Sequence, residues 1–243
     1  MRIIKLNAID STNSYLRKLS ANDLVTDYTA VMAKKQTQGR GQMGTVWSSQ
    51  TAKNLTFSVY KDISKYNLEY PFYISIVVSL ALLKSLQFFS ITKLSVKWPN
   101  DILSDNKKLC GILIENTFKQ NRFSESFIGI GLNVNQTDFK NLPQASSLKL
   151  VSGSVFDLDE IAHVIIKNLK YYFNILENED FGILKTEYES FLFRKNKPST
   201  FKDAEGVIFS GFIKNVSETG SLQVLVEDDI IKEFDFKTIT LLY

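Results

Sequence analysis

Histidine and cysteine are the scarcest reactive residues of this 243-residue chain, with one of each, His163 and Cys110. A Ser-His-Asp hydrolase would have to use His163, and zinc sites built from several His and Cys ligands lack the residues. His163 lies in DEIAHVIIKNLKYYFNIL, a stretch of helical period, and reads as an ordinary helix residue. A lone cysteine closes no internal disulfide, and the opening MRIIKLNAIDSTN has no apolar signal core, so the expected compartment is a reducing cytoplasm. Neither sign of charge dominates: 29 basic and 26 acidic residues give +3, scattered along the chain, and leave no electrostatic footprint of a nucleic-acid binder. With 44% hydrophobic and 23% charged residues, long disorder and fibrous repeats are poor readings. Chemistry must then rest on Lys, Arg, Asp, Asn and backbone amides.

The length suits one large or two small domains. Residues 2–6 read as a short strand, with Asp10, Ser11 and Thr12 as N-cap types ahead of the helical NSYLRKLS. Ala30–Lys34 and LTFSVY (55–60) read as further strands. The stretch from Pro71 to Phe89 is apolar on nearly every side, which raises a membrane span. Lys84, Gln87 and several serines inside it favour a helix buried against a sheet. LSVKW (94–98), 111–118 and 126–135 look like buried strands, the last two spaced as a hairpin, and helices are expected over 159–177 and 182–193. Beyond KNKPST the period changes to short alternating strands, so residues 196–243 are expected to form a small β-barrel-like domain after a larger one over 1–195.

Several short runs carry chemistry. Gly39–Val46 fits the G-x-G-x-x-G-x-V of a kinase phosphate loop, and Asp180-Phe181-Gly182 spells D-F-G. The kinase reading fails because the lone histidine opens His163-Val164-Ile165, so the catalytic aspartate is missing. A dinucleotide fingerprint also fails, since the glycines should open a helix whereas the chain runs on to a strand. A glycine-rich loop that closes with Arg40 over a phosphate or carboxylate remains, beside the plainer reading of a surface hairpin. KWPND presents Asn100 and Asp101 where the chain must turn; its plain reading is a turn. Lys108 enters the apolar KLCGILIE beside Gly111, placed to reach an anion or simply to be solvated. GIGLNVN sets glycines at alternate positions of a core strand, leaving room for a ligand against the backbone, with Asn133 on the same face.

In this order and spacing, GRGQMGTVW, KWPND, KLCGILIE and GIGLNVN, with DSTN at 10–13 and Gln36 before the loop, resemble the biotin protein ligases over essentially the whole chain. The resemblance implies an α+β fold: a mixed, largely antiparallel central sheet with packed helices, akin to class II synthetases, and a small C-terminal SH3-like barrel. It implies a form without the N-terminal DNA-binding domain of the bifunctional members, hence no DNA partner, and a possible homodimer; no membrane partner is expected either. The implied reaction joins biotin to a lysine of a carboxylase's biotin carrier domain through biotinyl-5′-AMP, with ATP and Mg²⁺, releasing pyrophosphate and then AMP. Two anions must meet, which calls for cations and amide donors rather than a histidine.

Matching motif to motif, Ser11, Thr12, Asn13, Gln36, Gly39, Arg40, Gly41, Gln42, Lys108, Gly111 and Gly129 would surround biotin. Arg40, Trp47, Asn100, Lys108 and Asn133 would hold the nucleotide or adenylate, and no side-chain metal site is implied. Lys108, Arg40 and Asp101 are the expected catalytic residues, Asp101 orienting or deprotonating the acceptor lysine. Two departures from the family pattern stand out. Gln42 and Thr45 replace loop arginines, which should loosen retention of the adenylate, and Thr56 stands where a larger ring is expected. A lipoate or octanoate ligase or transferase and a non-catalytic biotin sensor are the alternatives. Cys110 reads as packing.

Overall fold

The computed structural model describes residues 2–22, 25–66, 68–140 and 142–243. The chain runs β1 (Ile3–Ile9), α1 (Thr12–Ser20), β2 (Ala30–Gln36), a 3-10 turn at Gln42–Gly44, β3 (Leu55–Asp62), α2 (Phe72–Phe88), β4 (Leu94–Lys97), β5 (Asp101–Ser104), β6 (Lys107–Lys119) and β7 (Arg122–Leu132). Then come α3 (Leu148–Ser152), α4 (Leu158–Glu177), α5 (Phe181–Ser190), β8 (Pro198–Asp203), β9 (Ile208–Val216), β10 (Leu222–Leu225), β11 (Ile231–Phe234) and β12 (Ile239–Leu242).

A seven-stranded sheet in the order β1-β2-β3-β7-β6-β5-β4 forms the frame. Only β1 and β2 are parallel; every other neighbour pair is antiparallel, which gives the mixed sheet anticipated from the resemblance. Side chains alternate faces along each strand. Phe57 and Val59 of β3 therefore share one face with Ile128, Ile130 and Leu132 of β7 and with Cys110 and Ile112 of β6, all in the main core. On that face α2 packs between the sheet and α4 and α5. Its solvent stripe shrinks to Lys84, Gln87 and Phe88, spaced i, i+3, i+4, and 13 of its 17 residues are buried. Each large apolar side chain buried there contributes about 1.5–3 kcal/mol. Among the described residues no helix is long and apolar enough to cross a membrane. The opposite face carries α1, whose Leu16 joins Val31, Tyr60 and Phe127 in a second, smaller cluster.

A five-stranded antiparallel sheet in the order β11-β10-β9-β8-β12 follows, as expected for the SH3-like unit. It docks at the β4–β5 turn, where Trp98 Nε1 donates to Gly220 O at 2.8 Å and the Trp98 ring meets Phe236 at 5.3 Å. Glu189 of α5 accepts from the backbone N–H of Val216 at 3.2 Å and reinforces the junction.

Several elements differ from the sequence expectation. Asp101 opens β5 rather than sharing a turn with Asn100, because its register with Gly111 extends the sheet outward. β7 ends at Leu132, short of 135, and α5 ends at Ser190, short of 193. α3 has no counterpart in the sequence reading, and β8 begins inside the KNKPST run.

Candidate active site

The site grows from the face of the sheet opposite the main core. Antiparallel register aligns residues in rows across β3, β7 and β6: Thr56–Gly131–Gly111, then Ser58–Gly129–Leu113, then Tyr60–Phe127–Glu115. Glycines in the first two rows leave a trough where ordinary side chains would stand. A Cβ on Gly131 would come within 2.3 Å of the Trp47 ring, and one on Gly111 within 3.1 Å, so the indole is seated flat on the sheet by the absence of those carbons. A Cβ on Gly129 would lie 2.8 Å from Asn13 Oδ1, so the same device admits the first turn of α1.

That turn is set by Ser11, which caps α1 from an extended backbone (φ −152°, ψ 133°). Thr12 then faces the sheet in a chain of hydrogen bonds: Ser58 Oγ donates to Thr12 Oγ1 at 2.7 Å, and Thr12 Oγ1 donates to Gln36 Oε1 at 3.0 Å. The Thr12 amide also donates to Gln36 Oε1, at 2.8 Å, which occupies that oxygen and leaves the Gln36 Nε2 as the free donor. Asn13 Nδ2 donates to Glu115 Oε2 at 2.9 Å, while its Oδ1 is buried with no partner. A second buried orphan is the Trp47 indole Nε1. Buried polar atoms without partners are rare, and here both flank the trough.

The glycine-rich segment is a tight hairpin. Gly41 N donates to Thr45 O at 2.7 Å, Thr45 N to Gln42 O at 3.1 Å, and Trp47 N to Gly39 O at 2.9 Å. Those three amides are spent within the hairpin. Arg40 turns to Glu115, with Nη1 and Nη2 on the two carboxylate oxygens at 3.1 and 3.0 Å. Across the trough Lys108, at a bulge where β5 and β6 change register, lies 2.6 Å from Asp101 Oδ1 and 5.8 Å from the Trp47 ring centroid. Asn100 is clamped to β6, its Nδ2 donating to Ile112 O at 2.8 Å. Burial lowers the proton affinity of the nearby Lys97 amine, and repulsion from Lys108 adds to that, against the attraction of Asp101.

One cavity of about 340 Å³ gathers Ser11, Thr12, Asn13, Gln36, Arg40, Gly41, Gln42, Trp47, Asn100, Asp101, Lys108, Gly111 and Gly129. Gly39 lies outside it, behind the hairpin in an adjoining depression shared with Arg40 and Glu115. Asn133 lies just past the end of β7, is 5% exposed and is not among the residues that line the cavity. Ser58 and Leu113 line the cavity and were missed, although alternation from Gly111 marks Leu113; Gly131, the second glycine of GIGLNVN, lines it as read from the sequence. Thr56 is spent on Ala33 O at 2.7 Å and does not line the cavity, so the expected ring has no substitute at that position. Cys110 sits on the core face, fully buried, and burial pushes its thiol far up, as packing requires. A second cavity of about 280 Å³ shares Gln42, Asn100 and Asp101 with the first and continues toward the small sheet past Lys97 and Lys237.

Residues 6–133, which contain this whole trough, match the model of the biotin/lipoate A/B protein ligase family. The chain belongs to that family. Among curated relatives, the bifunctional ligase/repressor BirA of Bacillus spizizenii is 30% identical over 95% of this chain and 71% of its own length. The corresponding protein of Escherichia coli is 28% identical over 93% of this chain and 70% of its own. The biotin protein ligase of Aquifex aeolicus, solved in complex with biotin and ATP, superposes with a TM-score of 0.83 at 26% identity, covering 99% of this chain and 98% of that one. Family membership and the shared fold account for a trough of this shape on this sheet.

Proposed function

We propose that this chain is an ATP-dependent ligase that activates biotin as its adenylate and transfers it to a lysine of a carrier domain. The observation that carries the choice of acid is the polar floor of the trough. A fused cyclic urea offers two N–H donors and one carbonyl acceptor; the buried orphan Asn13 Oδ1 takes a donor, and the Ser58–Thr12–Gln36 chain and the Gln36 amide meet the rest. The dithiolane of lipoate and the methyl end of octanoate offer no such partners and would leave these groups unpaired, a heavy penalty in a buried site.

The reaction brings a carboxylate against a triphosphate, and Lys108 stands 5.8 Å from the Trp47 ring centroid to meet them. Lys108, a third exposed, is placed to turn from Asp101 to the joined carboxylate and α-phosphate, which would leave Asp101 free to receive the acceptor lysine. Trp47 offers its ring face to the adenine, and its indole N–H a donor. The adjoining cavity, walled by Lys97 and Lys237, suits departing pyrophosphate. Among the described residues no group of three or more His, Cys, Asp or Glu side chains is arranged to hold a metal. A Mg²⁺ arriving with the nucleotide would take phosphate oxygens and water, as that ion prefers.

The test is acid-dependent exchange of labelled pyrophosphate into ATP, without carrier, run with biotin, lipoate and octanoate in parallel. Exchange with biotin alone is the expected result. Exchange with lipoate or octanoate instead would reassign the acid, and biotin binding without exchange would make the protein a sensor.

A further inference from the structure

Glu115 belongs to no part of the main cavity, yet its carboxylate joins two of the groups that shape it. It lies on β6 two positions beyond Leu113 and so points to the trough side of the sheet. Both oxygens take the Arg40 guanidinium in a fork, at 3.1 and 3.0 Å, and Oε2 also accepts from Asn13 Nδ2 at 2.9 Å. Arg40 Nη2 adds a bond to Ser14 Oγ at 3.2 Å, so the hairpin, the first turn of α1 and β6 meet on one ion pair. The carboxylate side chain is only 20% exposed.

We propose that Glu115 is a positioning residue that latches the glycine-rich hairpin through Arg40 and, by the same carboxylate, aims the amide of Asn13. The reasoning about the amide is one of symmetry. The oxygen and nitrogen of an asparagine amide are nearly the same size, and which of them faces a ligand depends on the surrounding donors and acceptors. A carboxylate accepts only, so Glu115, with the Leu113 and Phe127 carbonyls, holds Nδ2 and leaves Oδ1 unpartnered over Gly129, a glycine of the trough. The site is thereby set to read a donor on the acid, and it is so set only while the acceptor at 115 is charged or oriented. The latch follows from Arg40, whose terminal nitrogens are spent on Glu115 and Ser14; its part is to close the hairpin, and the reacting anions fall to Lys108. A bidentate guanidinium–carboxylate fork fixes geometry as well as distance, which a single lysine contact does not.

This inference rests on the biotin ligase reading for its kinetic arm only. Hydrogen exchange of the backbone amides, read by mass spectrometry, tests the latch without any substrate, on the wild type, Glu115→Gln, Arg40→Gln and the double variant. Glu115→Gln should speed exchange over residues 39–47 about tenfold while the β3–β7–β6 amides keep their protection; Arg40→Gln should do the same, and the double variant should add nothing. In the pyrophosphate assay Glu115→Gln should raise the KM for biotin about tenfold at little change in kcat, the mark of lost uniform binding. Unchanged hairpin exchange in Glu115→Gln, or additive effects in the double variant, would overturn the proposal. So would loss of sheet protection in both single variants, which a merely structural carboxylate would produce. No biotin-dependent exchange by the wild type would overturn the ligase reading instead and leave the hairpin result to judge the latch.

Discussion

Replacing Gly131 by alanine tests the seat of Trp47 directly. The new methyl carbon would stand 2.3 Å from Cε2, 2.6 Å from Cζ2 and 2.8 Å from Cδ2 of the indole. Nonbonded carbons prefer about 3.5–4.0 Å, so the ring must retreat by roughly 1 Å or more. The strand cannot yield in its place, because Gly131 is paired on both sides, to Thr56 of β3 and Gly111 of β6. Overpacking of this kind costs about 1–3 kcal/mol. In a chain of this length that lowers the melting temperature by about 2–4 °C for each kcal/mol. The larger effect falls on activity, since a displacement of about 1 Å in a positioning group can cost up to about a hundredfold in rate. Differential scanning calorimetry and biotin-dependent pyrophosphate exchange read the two quantities. Gly182→Ala, at a helix position with nothing within 4 Å of the new carbon, is the control and should be neutral or stabilising by up to about 1 kcal/mol. A Gly131→Ala protein that melts and exchanges pyrophosphate like the wild type would refute the seat.

Three further outcomes are expected. Lys108→Ala should cut biotin-dependent pyrophosphate exchange by about 10²–10³. Its melting temperature should fall while the fold persists, because the Asp101 side chain, only 17% exposed, loses its ion partner; unchanged exchange would remove Lys108 from the chemistry. Gln42→Arg should slow the escape of biotinyl-5′-AMP, measured by pulsing the adenylate and chasing with hydroxylamine, and equal retention in the two proteins would sink the idea that Gln42 loosens the site. Finally, burial alone would raise the Glu125 carboxyl, but bonds from Ser20, Thr117 and Lys119 outweigh it and hold the group below the ordinary glutamate value. A depressed carboxyl stabilises the fold above its unfolded value of about 4.3, and that contribution is lost as pH falls through the folded value. Glu125→Gln should therefore flatten the acid side of the stability profile in denaturant melts below about pH 5, and an unaltered slope would count against it.

The chain's own order of residues determined most of the frame. The lone histidine removed triad and zinc chemistry, the aromatic and β-branched 55–60 and the apolar run over 126–135 marked the central strands, and the nearly all-apolar 71–89 announced a buried helix. The motif set located the trough for the same reason: glycines, a capping serine and a strand-entry lysine are local choices, legible wherever backbone geometry demands them. Tertiary structure decided what those groups do to one another. Asn133 shares the alternation of Gly129 and Gly131, yet it lies past the end of β7, is buried and is not among the residues that line the cavity. Arg40 reads as an anion ligand in its loop; it meets Glu115 only because β6 brings a carboxylate 75 residues away under the hairpin. The Asn13 oxygen is left without a partner by that same carboxylate, and Trp47 is laid on a glycine pair assembled from two strands. Periodicity fixes the face on which a side chain stands, whereas its partner depends on register and on where each strand stops, which the sum of long-range packing sets.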